Sequence, residues 1–211
     1  PNKPAEAAQI AFAVGAHYVD REDWGNARKR LQGAMAQIDR NATLDIQIQA
    51  HAMLGLVHAK TGSTTQARQE YDRVRGYWRN PSEVVNKLNA IGGDDGVKAR
   101  RIGKSLTAVG EALFFFAGEK RAVADKIQFP AYNGPGNRDD VLNFVKTKVG
   151  EWIQKKRPAI KEAEAEYLKI VDLQPVPPPR WVIAAGARVG QMYGKFVAEF
   201  RAAPIPNEWK G

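Results

Sequence analysis

The sequence contains no cysteine and has three histidines, His17, His51 and His58. The absence of cysteine excludes a disulfide framework, a thiolate metal site and a cysteine nucleophile. His51 and His58 are close enough to share a helix face, but no His-Glu-x-x-His spacing and no third ligand accompanies them. We therefore interpret both as packed residues of a helix, and we expect neither a bound metal nor a cofactor.

Long apolar runs are also missing. The longest, Ala112 to Ala117, is far shorter than the roughly 20 residues that span a bilayer, so no transmembrane segment is predicted. The first residues lack a start methionine, a basic n-region and an apolar h-region, so they do not resemble a signal peptide. We expect the chain to be a piece of a longer protein.

The sequence offers no catalytic constellation. Its serines are Ser63, Ser82 and Ser105, and none has a histidine partner in the pattern of a hydrolase triad. Gly103-Lys104-Ser105 resembles the end of a phosphate-binding loop, but Lys98 stands where that motif needs a glycine. Gly134-Pro135-Gly136 follows no predicted strand, which argues against a dinucleotide site. We therefore expect a protein that is not an enzyme.

Positive charge is in excess, with 32 Lys and Arg against 23 Asp and Glu and a net charge of +9. Such a surface favours acidic partners. Two basic clusters comprise Lys98, Arg100, Arg101 and Lys104, and then Lys155, Lys156 and Arg157. They support an alternative hypothesis of a basic helical module that binds nucleic acid or an anionic envelope polymer. Because the aromatic residues fall on apolar helix stripes, we interpret these charges as solvated faces and expect proteins as partners in preference to nucleic acid.

A short pattern occurs twice in the first part of the chain. Gly15, Tyr18, Ala27, Leu31 and Ala34 are followed at a constant offset by Gly55, His58, Ala67, Tyr71 and Val74. In each copy the glycine and the aromatic residue share a helix face, and the alanine and the large apolar residue belong to a second helix. The pattern predicts two helical hairpins, with helices over 4–19, 24–38, 44–59 and 64–77. Asp23 is the predicted N-cap of the second helix, and Gly62 is the predicted left-handed residue between the third and fourth.

This pattern resembles the tetratricopeptide repeat (TPR), a family of helical hairpins that stack into a solenoid. Matching residues are Val14, Gly15, Tyr18, Ala27, Leu31 and Ala34 in the first copy and Leu54, Gly55, Ala67 and Tyr71 in the second. His51 and His58 stand where the family prefers Trp and Tyr. The resemblance implies an all-α, TPR-like solenoid that binds partner segments on the concave surface formed by the first helix of each hairpin.

The resemblance places ten residues on that partner-binding groove. They are Gln9, Phe12, Ala16, Val19 and Asp20 from the first hairpin and Gln49, Ala52, Met53, Leu56 and Lys60 from the second. Phe12, Ala16 and Met53 occupy the positions where some members of the family carry a Lys/Asn/Arg clamp for a terminal carboxylate. An apolar or amphipathic partner segment therefore fits this groove better than a free carboxylate.

The second half predicts an elongated antiparallel helical hairpin over 97–173. An apolar stripe runs from Val97 to Ile127, Phe129-Pro130 ends that helix, and residues 130–137 form a turn-rich tip. Asp139 is the predicted cap of the return helix, and Pro158 is predicted to kink that helix without ending it. The Gly110-to-Ala122 offset matches that of the two repeats, which predicts a degenerate continuation of the array.

The predicted organisation has three segments: 1–90 with the two TPR-like hairpins, 97–173 with the elongated hairpin, and 174–211 with a proline-rich connector and a last helix that resembles the start of a further repeat. A second resemblance is to large envelope TPR proteins of gliding bacteria. It is carried by residues 113–116, 129–136, 156–160, 179–181 and 202–206. It implies a periplasmic scaffold in a gliding-motility or envelope-spanning complex, and a cytoplasmic location remains the alternative.

Overall fold

A computed structural model describes residues 3–209, and within that range it is helical and contains no strand. The helices are α1 (Pro4–Asp20), α2 (Trp24–Asn41), α3 (Leu44–Lys60), α4 (Thr64–Tyr77), α5 (Pro81–Ala90), α6 (Asp95–Lys126), α7 (Arg138–Phe144), α8 (Gly150–Val171) and α9 (Pro179–Arg201). A π-helical segment, Val145–Val149, joins α7 to α8. The all-α prediction is confirmed.

Helices α1 and α2 form one hairpin, and α3 and α4 form another. A β-carbon on Gly15 would lie 2.3 Å from Leu31 Cδ2, and one on Gly55 would lie 3.0 Å from the ring of Tyr71. Each glycine thus lets the second helix of its hairpin approach the first closely. Ala27 and Ala67, the small residues of the two second helices, are fully buried. The predicted pairing of helices within each copy is confirmed.

The turns of the two hairpins also match. The Asp23 amide donates to the Tyr18 carbonyl at 2.9 Å, and the Ser63 amide donates to the His58 carbonyl at 2.8 Å. Asp23 caps α2, because its carboxylate accepts from the Asn26 amide. The turn residue before each cap position has a positive φ, 55° for Glu22 and 77° for Gly62.

His51 joins three helices of this region. It lies on α3 and is 1% exposed, with Nδ1 2.5 Å from the Glu70 carboxylate on α4 and Nε2 3.0 Å from the Asp39 carboxylate on α2. His58 is also buried, at 4% exposure, and burial lowers its pKa. The prediction that both histidines occupy packed positions is confirmed.

The chain divides into two compact units. One comprises the residues up to Phe115 together with Ile170–Val182, and the other comprises Phe116–Lys169 together with the residues from Ile183 onward. The boundaries fall inside the long helices α6, α8 and α9. The predicted segments 1–90, 97–173 and 174–211 have their boundaries at loops and therefore differ from these two units.

In the second unit, the last part of α6 runs antiparallel to α8. Lys120 pairs with Glu162 at 2.5 Å, and the Lys156 side chain donates to the Ile127 carbonyl. The first partner moves forward along the chain by seven residues while the second moves back by six, so the two segments run in opposite directions. Helix α8 continues through Pro158, as predicted. The N-cap of α7 differs from the prediction: the Asn137 side chain accepts from the Asp140 amide, whereas Asp139 lies in the first turn of the helix.

Gly110 and Ala122 do not mark a further hairpin. Both lie within α6, a single helix of 32 residues. A β-carbon on Gly110 would lie 2.8 Å from both Pro178 and Trp181, so the glycine leaves space for the proline-rich connector. In the two repeats the 12-residue offset joins two helices, whereas here it falls within one helix, so it gives no support to a degenerate continuation of the array.

Candidate partner-binding groove

Five of the predicted groove residues line one cavity of about 290 Å³ in the first unit. Val19 comes from the end of α1, and the other four project from α3: Gln49, Ala52, Met53 and Leu56. They lie on one side of α3 because positions three and four apart share a helix face. The opposite wall comes from α6 and consists of Lys104, Thr107, Ala108 and Glu111.

The other five predicted residues do not line this cavity. Phe12 is half-buried and packs against the core of the first hairpin, Ala16 is half-buried, and Asp20 is exposed. Lys60 is directed elsewhere, with Nζ 5.7 Å from the centre of the Trp24 ring. Gln9 lines a different cavity of about 280 Å³, together with Asp45 and Arg101. The predicted residues of α3 therefore line this cavity more often than those of α1 do.

Among the residues that the structure describes, Glu111 is the only acidic one that lines the cavity. The Tyr71 hydroxyl donates to Glu111 Oε1 at 2.7 Å, and burial raises the pKa of this carboxyl to about 6. The hydrogen bond from Tyr71 and the charge of Arg180 act in the opposite direction. Burial also raises the pKa of the Tyr71 hydroxyl, which therefore stays protonated at neutral pH and acts as a hydrogen-bond donor.

Tyr71 is fixed by its surroundings. It is 2% exposed, its ring lies against Gly55, and its centre is 4.8 Å from that of the Phe115 ring. Because the ring cannot shift easily, its hydroxyl holds the Glu111 carboxylate in one orientation. Glu111 is the one acidic residue in the otherwise mostly apolar stretch 106–117, and this pattern could have marked it as a candidate site residue. Nothing in the sequence indicated which helix it would face.

A third, larger cavity of about 550 Å³ lies in the same unit, between α6 and the proline-rich connector. Its lining is apolar apart from Thr107, and it includes Ile102 and Leu106 of α6 and the prolines 175 and 177–179. Sequence reasoning did not predict it, because a connector gives no periodic pattern that shows which helix it covers. None of its lining residues carries a charge that would indicate the chemistry of a ligand.

The first basic cluster is partly engaged inside the protein. Arg101 donates to the carbonyls of Leu88 and Gly92 at 3.1 and 2.9 Å, and its Nε lies 3.6 Å from Asp45. Lys98 lies 3.8 Å from Asp95, and Arg100 and Lys104 are exposed. Arg101 therefore joins the end of α5, the following loop and α3, and is not a solvated charge.

The second basic cluster also differs from the prediction. Lys156 is 2% exposed, donates to the Ile127 carbonyl at 2.9 Å and lies 3.2 Å from Glu199 Oε2. Its neighbours Lys155 and Arg157 are exposed. The interpretation of all three as a solvated face was wrong for Lys156, because a helix that packs on two sides turns every third or fourth residue inward. These three residues therefore do not form a continuous basic patch on the surface.

Comparison with known proteins finds no family model that matches the chain, and no similar curated protein or solved structure. In the part of the chain that the structure describes, no helix combines the length and the apolar character needed to cross a bilayer. Among the same residues, no group of three or more acidic or histidine side chains is arranged to hold a metal ion.

Proposed function

We propose that this protein is a non-catalytic scaffold, built from TPR-like helical hairpins, that binds an amphipathic segment of a partner protein in the groove between α3 and α6. The cavity lined by Met53, Leu56 and Glu111 carries this proposal. Its walls are mostly apolar side chains, and its few polar groups can orient a ligand. Ligand-binding pockets in proteins usually have this composition.

The size of the cavity favours side chains of a partner over a free cofactor. At about 290 Å³ it lies at the lower limit of the roughly 300–1,000 Å³ typical of sites for drug-sized ligands. A cavity of this size can hold one or two anchoring side chains, and such buried anchors supply most of the affinity in protein interfaces. The exposed remainder of the groove would then contact the rest of the segment.

The α1 to α4 hairpins support the TPR-like architecture. Their pairing, their close glycine contacts and their matching turns are those expected for consecutive repeats. An array of such hairpins presents its first helices side by side, and α1 contacts α3 here. We propose in addition that these hairpins belong to a solenoid, and that its second half contains an elongated antiparallel hairpin.

Copurification from the native cells tests the proposal. Leu56→Asp places a charge on the cavity wall, and Gln49→Trp fills the cavity without removing a core residue. Val14→Asp is the matched control, because Val14 is an apolar residue of α1 that is 40% exposed and does not line the cavity. Thermal unfolding must first show that each variant remains folded.

The proposal predicts a discrete set of partner proteins that persists in high salt, is recovered with Val14→Asp and is lost with both cavity variants. If only nucleic acid or a diffuse acidic background is recovered, and high salt removes it, the groove proposal is wrong and the basic-module hypothesis gains support. The periplasmic, gliding-motility setting remains a prediction, and cell fractionation together with the identity of the partners would test it.

A further inference from the structure

The cavity between α3 and α6 combines an aliphatic wall with a single acidic end. Val19, Met53 and Leu56 supply apolar surface, and Glu111 supplies the carboxylate. Lys104 also lines the cavity, but it is two helical turns from Glu111 along α6, about 10 Å by helix geometry. A ligand in this cavity therefore meets apolar contacts between the negative charge of Glu111 and the positive charge of Lys104.

The Glu111 carboxylate is only partly satisfied within the protein. Oε1 accepts a hydrogen bond from the Tyr71 hydroxyl. The charge of Arg180 lowers the pKa of Glu111, but the Arg180 guanidinium lies over the Trp181 ring, 5.2 Å from the ring centre. Oε2 therefore remains available to accept a hydrogen bond from a bound group.

We propose that the anchoring residue of the partner segment is a lysine or arginine whose methylene stem lies along Met53 and Leu56 and whose cationic head pairs with Glu111. This inference rests on the proposed function. Lysine and arginine bury their stems on apolar surface while the charged head keeps a polar partner, which matches the part of the cavity formed by Met53, Leu56 and Glu111. An acidic side chain would be repelled by Glu111, and a purely apolar one would cover the carboxylate without pairing it.

Protonation of Glu111 should compete with the cation. Because burial raises the pKa of Glu111 to about 6, the carboxyl is mostly ionised at pH 7.5 and mostly protonated at pH 5. The other titratable or charged groups that face it or line the same cavity are Tyr71, Arg180 and Lys104. Affinity for a cation should therefore fall roughly tenfold between pH 7.5 and pH 5.

Methyl NMR of methionine gives a direct test. The chain has three methionines: Met53 lines the cavity, whereas Met35 and Met192 are buried elsewhere. The probes are pentylammonium as the cation, 1-hexanol as the neutral analogue and hexanoate as the anion. We expect pentylammonium to shift the Met53 methyl signal selectively, to bind at least tenfold more tightly than hexanol, and to lose that advantage at pH 5 and in Glu111→Gln.

The matched control is Asp95→Asn, which neutralises an exposed acid on the same helix and should leave the titration unchanged. If hexanol and pentylammonium shift Met53 equally, the inference of a cationic anchor is wrong while the apolar groove stands. If no probe shifts Met53, both the inference and the proposed function lose their support. If Glu111→Gln binds pentylammonium as tightly as the wild type, Glu111 does not recognise the cation.

Discussion

Leu31 fills the space that a β-carbon on Gly15 would occupy, since such an atom would lie only 2.3 Å from Leu31 Cδ2. Leu31 is fully buried, so it cannot move away without disturbing its neighbours. The contact sets the distance between α1 and α2, and the Gly55 and Tyr71 contact does the same for α3 and α4.

Gly15→Ala should therefore destabilise the protein by about 1–3 kcal/mol, the usual cost of overpacking a core. Gly190→Ala is the matched control: Gly190 is an exposed residue of α9, and a β-carbon there meets nothing within 4 Å. It should stabilise the protein by up to about 1 kcal/mol, because alanine is the better helix former. Urea unfolding measures both, and equal effects would argue against the close approach of α1 and α2.

Glu22→Gly should stabilise the first hairpin by about 0.5–1 kcal/mol. Glu22 has φ of 55°, a left-handed conformation that is costly for residues with a β-carbon, and the equivalent turn residue in the second hairpin is Gly62. Part of the gain is offset because glycine also increases the freedom of the unfolded chain. Thermal unfolding measures the change. The reverse substitution, Gly62→Ala, should lower the melting temperature, and a higher value in that variant would contradict the equivalence of the two turns.

Lys156→Met should destabilise the protein by about 3 kcal/mol, because it leaves Glu199 and the Ile127 carbonyl without their buried partner. Lys155→Met, at the exposed neighbour, should change the free energy of unfolding by less than about 0.5 kcal/mol. Adding Glu199→Leu to Lys156→Met should restore much of the loss. Denaturant unfolding distinguishes the two lysines, and similar small effects at both would support the original interpretation of a solvated face.

Glu111 should make stability depend on pH. The pKa of its carboxyl is about 6 in the folded protein against 4.5 as the reference value, so the protonated form favours folding. Its stabilising contribution is present below pH 4.5 and is lost as pH rises through about 6, by at most about 2 kcal/mol. The Glu111→Gln variant has no carboxyl to ionise, so it should not lose this contribution. Its free energy of unfolding should therefore rise relative to that of the wild type as pH increases from 4.5 to 7.5. A wild-type-minus-variant difference that stays constant over this range would show that Glu111 is not perturbed.

The local part of this fold was predictable from sequence. The bounds of α1 to α4 follow from apolar periodicity, from Asp23 as a cap and from Gly62 as a left-handed turn residue, all of which act within a few residues along the chain. The two hairpins were predictable because Gly15 and Gly55 precede large apolar residues at the same distance. These signals depend on neighbours in sequence and need no knowledge of the tertiary structure.

What the sequence left undetermined depends on contacts distant in the chain. Glu111 faces Tyr71 across 40 residues, and Lys156 is buried only because Ile127 and Glu199 lie beside it. The Gly110 spacing was misleading because the same offset fits a hairpin and a single long helix. The α3 wall of the candidate site could therefore be predicted from periodicity, whereas the α6 wall, which carries the charge, could not.

Photo-cross-linking from Met53 tests the central claim most directly. A Met35→Leu/Met192→Leu variant, with substitutions that cores usually tolerate, would carry photo-methionine at residue 53 in the native cells. The control adds Met53→Leu and Val14→Met, which moves the label to α1 outside the cavity. We predict that mass spectrometry will find one defined partner segment, containing a lysine or arginine, linked to residue 53 but not to residue 14. No cross-link at residue 53, or the same diffuse set of proteins from both positions, would contradict a partner-binding groove between α3 and α6.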